Sequence, residues 1–209
     1  MIRVVVLLSG RGSNFQAIVE ATLPIEIVAV ISNRPLAAGL AYAREQGLNA
    51  IALDHTAHAD RAAFDAQLAD EIERHQPDLV VLAGYMRILS PAFIARFEGR
   101  LLNIHPSLLP MFPGLKTHER ALEEGVKIHG CTVHFVTAQL DHGPIVIQAA
   151  VPVRADDTPA TLSARVLVQE HRIFPQAIRW FAEDRLRVQQ GRVNVRGDST
   201  SQSVLSSGA

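Results

Sequence analysis

The hydrophobic pattern of the first half of the chain alternates short apolar runs with segments of helical periodicity. The apolar runs are typical of strands and cover residues 2–8, 25–31, 49–53, 78–84 and 100–105. The runs at 2–8 and 78–84 are apolar on both faces, as buried parallel strands are. Helical patterns lie between the runs, at residues 13–22, 36–47 and 58–75. This alternation predicts a parallel sheet built from strand–helix–strand units.

The pattern changes in the second half. Apolar runs at residues 131–136 and 145–153 are separated only by "TAQLDHGP", which is too short for a crossover helix, so we expect this pair to be antiparallel. A long helix is predicted over residues 158–182 and a hairpin over 186–195. The predicted fold class is α/β: a Rossmann-like open sheet with a parallel N-terminal half and antiparallel strands added in the C-terminal half.

Composition and charge restrict the classes of function. A chain of 209 residues with 48% hydrophobic content fits one domain, which we place at residues 1–195 and expect to be followed by a mobile polar tail at 196–209. The net charge of -1, without any Lys/Arg-rich run, argues against nucleic acid or a membrane surface as partner and favours small molecules. No apolar run reaches the roughly 18 residues of a membrane span. A lone Cys131 excludes an internal disulfide and agrees with a reducing compartment, so we expect a cytoplasmic protein.

The first turn, "LSGRGSNF", follows a predicted parallel strand and opens a helix. The backbone N–H groups of such a turn bind anions, so Gly12, Ser13 and Asn14 form a candidate phosphate site. The dinucleotide fingerprint needs a third glycine where this chain has Phe15, and an acidic residue about 20 positions further on, so we do not expect a nicotinamide cofactor. A purely structural connection between strand and helix is the alternative interpretation.

The segment "NIHPSLLP" ends another predicted strand. Asn103 and His105 are two residues apart, so their side chains leave an extended segment on the same side, and Pro106 favours the extended conformation for His105. Open parallel sheets bind ligands beyond the carboxyl ends of their strands, which is where this pair stands. Asp141, in the turn "LDHGP", is the third candidate. The competing interpretations are a polar sheet edge for the histidine and an Asx turn for the aspartate.

Asn, His and Asp side chains together favour acyl-type transfer. An Asn amide and a His N–H can donate to the oxyanion that forms when an amine attacks a carbonyl, and a nearby carboxylate favours the charged imidazole. The chain has no Gly-x-Ser-x-Gly elbow, so direct transfer between two substrates is the simpler hypothesis. A zinc site in "HGCTVH" is not expected, because Cys131 and His134 would point to opposite faces of a regular strand.

Several motifs together resemble the phosphoribosylglycinamide formyltransferase family. They are "SGRGSN", "LAGYMRILSP", "NIHPSLLPMFPG", "TVHFVTAQLDHGPIVIQ" and "VQEHRIFPQAI", and they run in order from about residue 2 to 187. The "HPSLLP" element alone marks the wider formyltransferase fold group, whose other members carry an additional domain. The resemblance implies transfer of the formyl group of 10-formyltetrahydrofolate, the co-substrate, to the amino group of glycinamide ribonucleotide in purine biosynthesis, with no metal.

The resemblance also implies roles for individual residues. Asn103 and His105 would stabilise the oxyanion, and Asp141 would assist His105 and proton transfer. The remaining implied residues contact the two substrates: the ribonucleotide by Gly12, Ser13, Asn14 and Glu170, and the folate by Arg61, Met86, Arg87, Ile88, Leu89 and Asn103.

Some alternatives remain open at this point. Arg61 could be an ordinary solvated charge at a helix start, and His142 departs from the small residue that many relatives have beside the aspartate. The chain could be a hydrolase that releases formate from formyltetrahydrofolate, or a non-catalytic protein that binds a phosphate-bearing ligand. We expect a monomer or a homodimer.

Overall fold

The computed structural model describes residues 1–197 and 202–206. The chain divides into two compact units: the first comprises Met1–Asn103 with Val136–Ala138, and the second comprises Ile104–Phe135 with Gln139–Ala209. The expectation of one functional domain over residues 1–195 stays a prediction.

The first unit is a parallel sheet with helices between its strands. Its strands are β1 (Ile2–Leu8), β2 (Ile25–Ser32), β3 (Ala50–Ala52), β4 (Leu79–Leu82) and β5 (Leu101–His105), and its helices are α1 (Ser13–Glu20), α2 (Ala38–Glu45), α3 (Arg61–Arg74) and α4 (Pro91–Arg96). The strand order is β3-β2-β1-β4-β5, and every pair is parallel. The last two residues of β5 belong to the second unit. The strands and helices predicted for this half are confirmed.

The middle of this sheet is apolar because it is covered on both sides. Every residue of β4 is buried, as are the last five of β1. Helix α3 contributes Phe64, Leu68 and Ile72 to the same core. Since β1 and β4 are parallel neighbours, with Leu7 opposite Leu82, their carboxyl ends lie at one edge of the sheet. The loops that follow these two strands are therefore placed side by side.

The second unit is built on an antiparallel pair and a long helix. Its elements are α5 (Thr117–Glu123), β6 (Ile128–Phe135), β7 (Ile145–Pro152), α6 (Pro159–Ala182), β8 (Leu186–Gln189), β9 (Arg192–Val195) and β10 (Ser203–Leu205). Strands β6 and β7 are antiparallel, α6 packs on both of them, and β8 and β9 form a hairpin. The α/β fold class, parallel in the first half with antiparallel strands in the second, is confirmed.

The start of α6 is specified locally. The Thr158 hydroxyl accepts the N–H of Thr161, and the Thr161 hydroxyl accepts the N–H of Thr158, which forms a capping box. Pro159 occupies the first helical turn, where its missing N–H has no helical partner to lose. These signals explain why the helix starts where the sequence predicts it.

Part of the tail differs from the expectation. Ser203–Leu205 form β10, which pairs parallel with β7, and the Gln202 amide donates to Val146 O at 2.8 Å. This stretch is therefore a strand, although its small polar sequence carries no strand pattern. The rest of the predicted mobile tail, at 198–201 and 207–209, lies outside the described residues.

No helix among residues 1–197 and 202–206 is long and apolar enough to cross a membrane.

Candidate active site

The turn after β1 has the backbone shape that the phosphate prediction requires. Gly12 is in the left-handed region, with φ 77°, immediately before α1 begins at Ser13. A Cβ atom on Gly12 would lie 2.9 Å from the Cα of Gly39, so the turn packs closely on α2. The close packing against α2 therefore requires glycine at position 12, whether or not the predicted phosphate binds there. Asn14 is buried and Ser13 is half-buried.

The loop after β4 carries the predicted folate residues, and Ser9 connects it to the end of β1. The Ser9 N–H donates to Gly84 O at 3.1 Å, and the Met86 N–H donates to Ser9 Oγ at 2.8 Å. The Ser9 hydroxyl donates to the Asn33 side-chain oxygen at 2.5 Å. Ser9 therefore connects the predicted phosphate-binding turn, which starts at the next residue, to the predicted folate loop.

The outer side of that loop is apolar and open. Met86 and Ile88 are 61% and 57% exposed, whereas Leu89 is buried. Large exposed apolar side chains at a strand end are suited to the rings of a ligand. Arg61 lies at the start of α3 and is exposed.

In the second unit, the structure brings His105 and Asp141 together. His105 Nδ1 lies 3.5 Å from Asp141 Oδ2, and both side chains are less than a tenth exposed. His105 Nε2 lies 3.0 Å from Phe112 O. A carbonyl oxygen can only accept, so Nε2 carries a proton. The second nitrogen, Nδ1, then faces the carboxylate, and a proton on it gives an imidazolium–carboxylate pair.

The Asp141 carboxylate is held by the backbone as well. Its residue has φ 50°, a left-handed conformation that the turn imposes on a non-glycine residue. The Gly114 N–H donates to Asp141 Oδ2 at 2.7 Å. This bond joins the Asp141 turn to the loop that follows "HPSLLP". The carboxylate therefore has a fixed direction toward His105.

A second imidazole, that of His134, reaches the same carboxylate. His134 Nε2 lies 3.9 Å from Asp141 Oδ1, and its Nδ1 donates to Phe135 O at 3.0 Å. Burial lowers the pKa of His134, and the Phe135 carbonyl and Asp141 act in the opposite direction. In neutral His134 the proton is on Nδ1, so Nε2 is an acceptor. The Gly114 N–H is then a donor to Asp141, and His105 Nδ1 donates to it only when Nδ1 carries a proton.

Strand β6 departs from the regular geometry assumed for "HGCTVH". Its pairing register with β7 shifts between Val133 and His134, so alternation along the strand is broken there. Burial raises the pKa of the Cys131 thiol well above its ordinary range, which disfavours the reactive thiolate. In the described part of the chain, no group of three His, Cys, Asp or Glu side chains is placed to hold a metal ion.

The other predicted site residues have simple placements. Asn103 stands opposite Leu82 in the pairing of β4 with β5, two residues before His105 on the same strand. Glu170 is buried in α6, at 7% exposure. His142 is exposed in the turn after Asp141.

Residues 2–178 match the formyl transferase family. The chain belongs to the formyl transferase family.

Among the relatives of this family member is the "Phosphoribosylglycinamide formyltransferase" of Escherichia coli (strain K12), 52% identical over 191 residues that cover 90% of each chain. The human "Trifunctional purine biosynthetic protein adenosine-3" is 47% identical over 184 residues, which cover 86% of this chain and 18% of that protein. The solved structure of glycinamide ribonucleotide transformylase 1 from Symbiobacterium toebii superposes with a TM-score of 0.90 at 52% identity, covering 93% of this chain and 94% of the other.

Sequence reasoning missed several residues that shape the site of this formyl transferase family member. Ser9 and Asp65 hold the loop after β4, and Phe112 O and the Gly114 N–H contact the His105–Asp141 pair. The sequence did mark Asp65 as unusual, because it is an acidic residue on the apolar face of α3, between buried Phe64 and Leu68. The contacts of Phe112 O and the Gly114 N–H are made by backbone groups, which the identity of a side chain does not reveal.

Proposed function

We propose that the chain transfers the formyl group of 10-formyltetrahydrofolate to the amino group of glycinamide ribonucleotide. The products are formylglycinamide ribonucleotide and tetrahydrofolate, and the reaction belongs to purine biosynthesis. The observation that carries the proposal is the His105–Asp141 pair, 3.5 Å apart on Nδ1 and Oδ2, in a chain 52% identical to a phosphoribosylglycinamide formyltransferase over nine tenths of both lengths.

The proposed chemistry needs no nucleophile from the protein. The amine nitrogen attacks the formyl carbon, and negative charge develops on the formyl oxygen. Asn103 and the Nε2–H of His105 donate to that oxygen, which lowers the barrier because the donors are already oriented. For His105 this means that its Nε2–H exchanges one hydrogen-bond acceptor, Phe112 O, for another, the developing oxyanion. The bond from carbon to N10 of the folate then breaks.

Asp141 has two proposed tasks. Its carboxylate lies beside His105 Nδ1 and orients the imidazole so that Nε2–H can donate to the oxyanion. It also helps to move the proton that leaves the attacking amine and ends on N10, directly or through one water. The hydrogen atoms of the reaction balance, because the amine loses one hydrogen and N10 gains one.

Binding of the two substrates is assigned to the loops after β1 and β4. Backbone N–H groups at Gly12, Ser13 and Asn14 take the ribonucleotide phosphate at the N-terminus of α1, with Glu170 as a further ribonucleotide contact. The folate side comprises Arg61, Met86, Arg87, Ile88, Leu89 and Asn103. The apolar members of this set are suited to the pterin and benzoyl rings, and the arginines to the carboxylates of the glutamate tail.

A coupled absorbance assay with both substrates tests the proposal. We expect turnover that depends on the ribonucleotide and saturates with each substrate. Formate release without an amine acceptor would indicate a hydrolase. Ribonucleotide binding without turnover would indicate a non-catalytic binding protein. Either result overturns the proposal.

A further inference from the structure

The inner side of the loop after β4 contains three buried polar groups, and the proposed mechanism does not use two of them, Asp65 and Tyr85. Asp65 is 1% exposed and Tyr85 is 9% exposed. Asp65 Oδ1, Tyr85 Oη and Arg87 Nε are buried and have no hydrogen-bond partner within the described residues. A carboxylate oxygen, a hydroxyl and a guanidinium N–H are complementary acceptor and donor groups.

The other oxygen of Asp65 makes a direct contact with the end of this loop. The Ser90 N–H donates to Asp65 Oδ2 at 2.6 Å. Ser90 is also the N-cap of α4, where its hydroxyl accepts the Phe93 N–H at 3.3 Å. One carboxylate on α3 therefore fixes the residue at which the loop becomes the next helix.

Helix α3 contacts the middle of the loop through the neighbouring residue. The Arg87 guanidinium lies over the Phe64 ring, 5.0 Å from its centroid. Burial raises the pKa of Tyr85, the Asp65 carboxylate raises it further, and Arg87 lowers it, so Asp65 and Arg87 both act on Tyr85. Helix α3 and the loop are therefore linked at Phe64 and Asp65.

These contacts separate an anchored inner side from an open outer side. Ser9 holds the start of the loop at Gly84 and Met86, and Asp65 holds its end at Ser90. Between the two anchors, Met86 and Ile88 keep most of their apolar surface exposed. A buried carboxylate costs free energy that an apolar side chain would not, so its place under a loop calls for a role other than stability.

We propose that Asp65 is a positioning residue for the folate, holding Met86–Leu89 in the shape that receives the co-substrate. This inference rests on the proposed function, because it takes the folate side of the reaction as given. Asp65 does not touch the substrate. It acts through the Ser90 N–H at the end of the loop, and its effect should therefore fall on one substrate and not on the other.

The test compares Asp65→Asn with Asp70→Asn in the full chain. The first substitution keeps the shape and removes the buried charge. The second removes an exposed charge from the same helix, where Asp70 pairs with Arg96 at 2.7 Å. We expect Asp65→Asn to raise the KM for 10-formyltetrahydrofolate about fivefold or more and to leave the KM for the ribonucleotide within about twofold. Asp70→Asn should leave both values unchanged.

Two kinetic results would overturn the inference: an unchanged folate KM in Asp65→Asn, or equal increases for both substrates. A wild-type chain without any formyl transfer would instead count against the proposed function. Amide hydrogen exchange also distinguishes failure of this inference from failure of the proposed function, because it does not depend on enzymatic activity. In the wild-type chain the Ser90 amide should exchange at least about tenfold more slowly than exposed loop amides. Fast exchange at Ser90 would remove the anchor and the inference with it, even if the variant did not fold.

Discussion

His105 makes polar contacts through both of its ring nitrogens. Phe112 O accepts from Nε2 at 3.0 Å, and Asp141 Oδ2 faces Nδ1 at 3.5 Å. His105 is therefore oriented from both sides of its ring. Burial lowers the pKa of the neighbouring His134, which favours its neutral form.

Asn103→Ala removes one of the two proposed oxyanion donors. We expect kcat to fall roughly 100- to 1000-fold, as it does when a single such donor is lost, while the KM for the ribonucleotide changes little. Steady-state kinetics at saturating substrates measures this. A variant that retained full kcat would exclude Asn103 from the mechanism.

Asp141→Asn keeps the shape of the side chain and removes its charge. The imidazole of His105 then loses the negative charge beside its Nδ1, so we expect most of kcat to be lost while both substrates still bind. His142→Ala is the matched control, because His142 is the exposed neighbour in the same turn. An unchanged kcat in Asp141→Asn, measured by steady-state kinetics, would contradict the role assigned to the carboxylate.

Residues of the site differ in how far the sequence reveals them. Asn103, His105 and Asp141 are polar residues at strand ends or in a turn, so their position alone marks them as candidates. The contact between His105 and Asp141 spans 36 positions, and only the folded chain shows it. Asp65 interrupts an apolar helix face, but its partner is a backbone N–H on a distant loop, which no pattern of side chains encodes.

At the scale of elements, the turn between β1 and α1 depends on Gly12 for its shape. Alanine at this position would have a strained φ and a Cβ atom 2.9 Å from the Gly39 backbone, so we expect Gly12→Ala to destabilise the fold by roughly 1–3 kcal/mol. Gly10→Ala is the control, because nothing lies within 4 Å of its added Cβ and its φ is not positive. Urea unfolding compares the two variants. Equal stabilities would show that the close approach to α2 does not constrain the turn.

The connection from β7 to α6 contains Asp157, whose contribution to the stability of the fold depends on pH. Asp157 Oδ1 and Oδ2 each accept from Arg165 at 2.7 Å, and the Arg154 N–H also donates to Oδ2 at 2.7 Å. Hydrogen bonds from Arg165 chiefly hold the pKa of Asp157 well below its ordinary value of 3.8. The native pKa is lower than the unfolded one, so the stabilisation is present above about pH 4 and is lost as pH falls through the native pKa.

Asp157→Asn should therefore lower the free energy of unfolding at pH 7 by roughly 1–3 kcal/mol. The difference from the wild-type chain should shrink as the pH is lowered below the ordinary value of 3.8. Urea unfolding at a series of pH values measures both free energies. A difference that stays constant from neutral to acid pH would contradict the assigned linkage.

Elements with their own local signals are predicted, and those without them are not. The capping box and Pro159 mark the start of α6, and apolar runs mark the central strands. Strand β10 has a small polar sequence and exists through its pairing with β7, which is a long-range contact. Helix α4 is an exception, because it was not predicted although Ser90 and Pro91 mark its start. Its length of 6 residues was too short for a helical period to show.

The proposed activity of the whole molecule is direct transfer of a formyl group between two small substrates. The family match covers residues 2–178, and the chain spans 90% of the Escherichia coli relative but only 18% of the human trifunctional one. Cys131 is buried with a raised pKa, which agrees with a mechanism that needs no thiolate nucleophile.

The fate of the formyl carbon tests this account most directly. The full chain is incubated with glycinamide ribonucleotide and 10-formyltetrahydrofolate carrying carbon-13 in the formyl group, and the products are followed by NMR. We predict that the label appears in the formamide of the ribonucleotide, in proportion to the tetrahydrofolate released, and that it does not move when the ribonucleotide is omitted. Labelled formate produced at the same rate with and without the ribonucleotide would contradict the account.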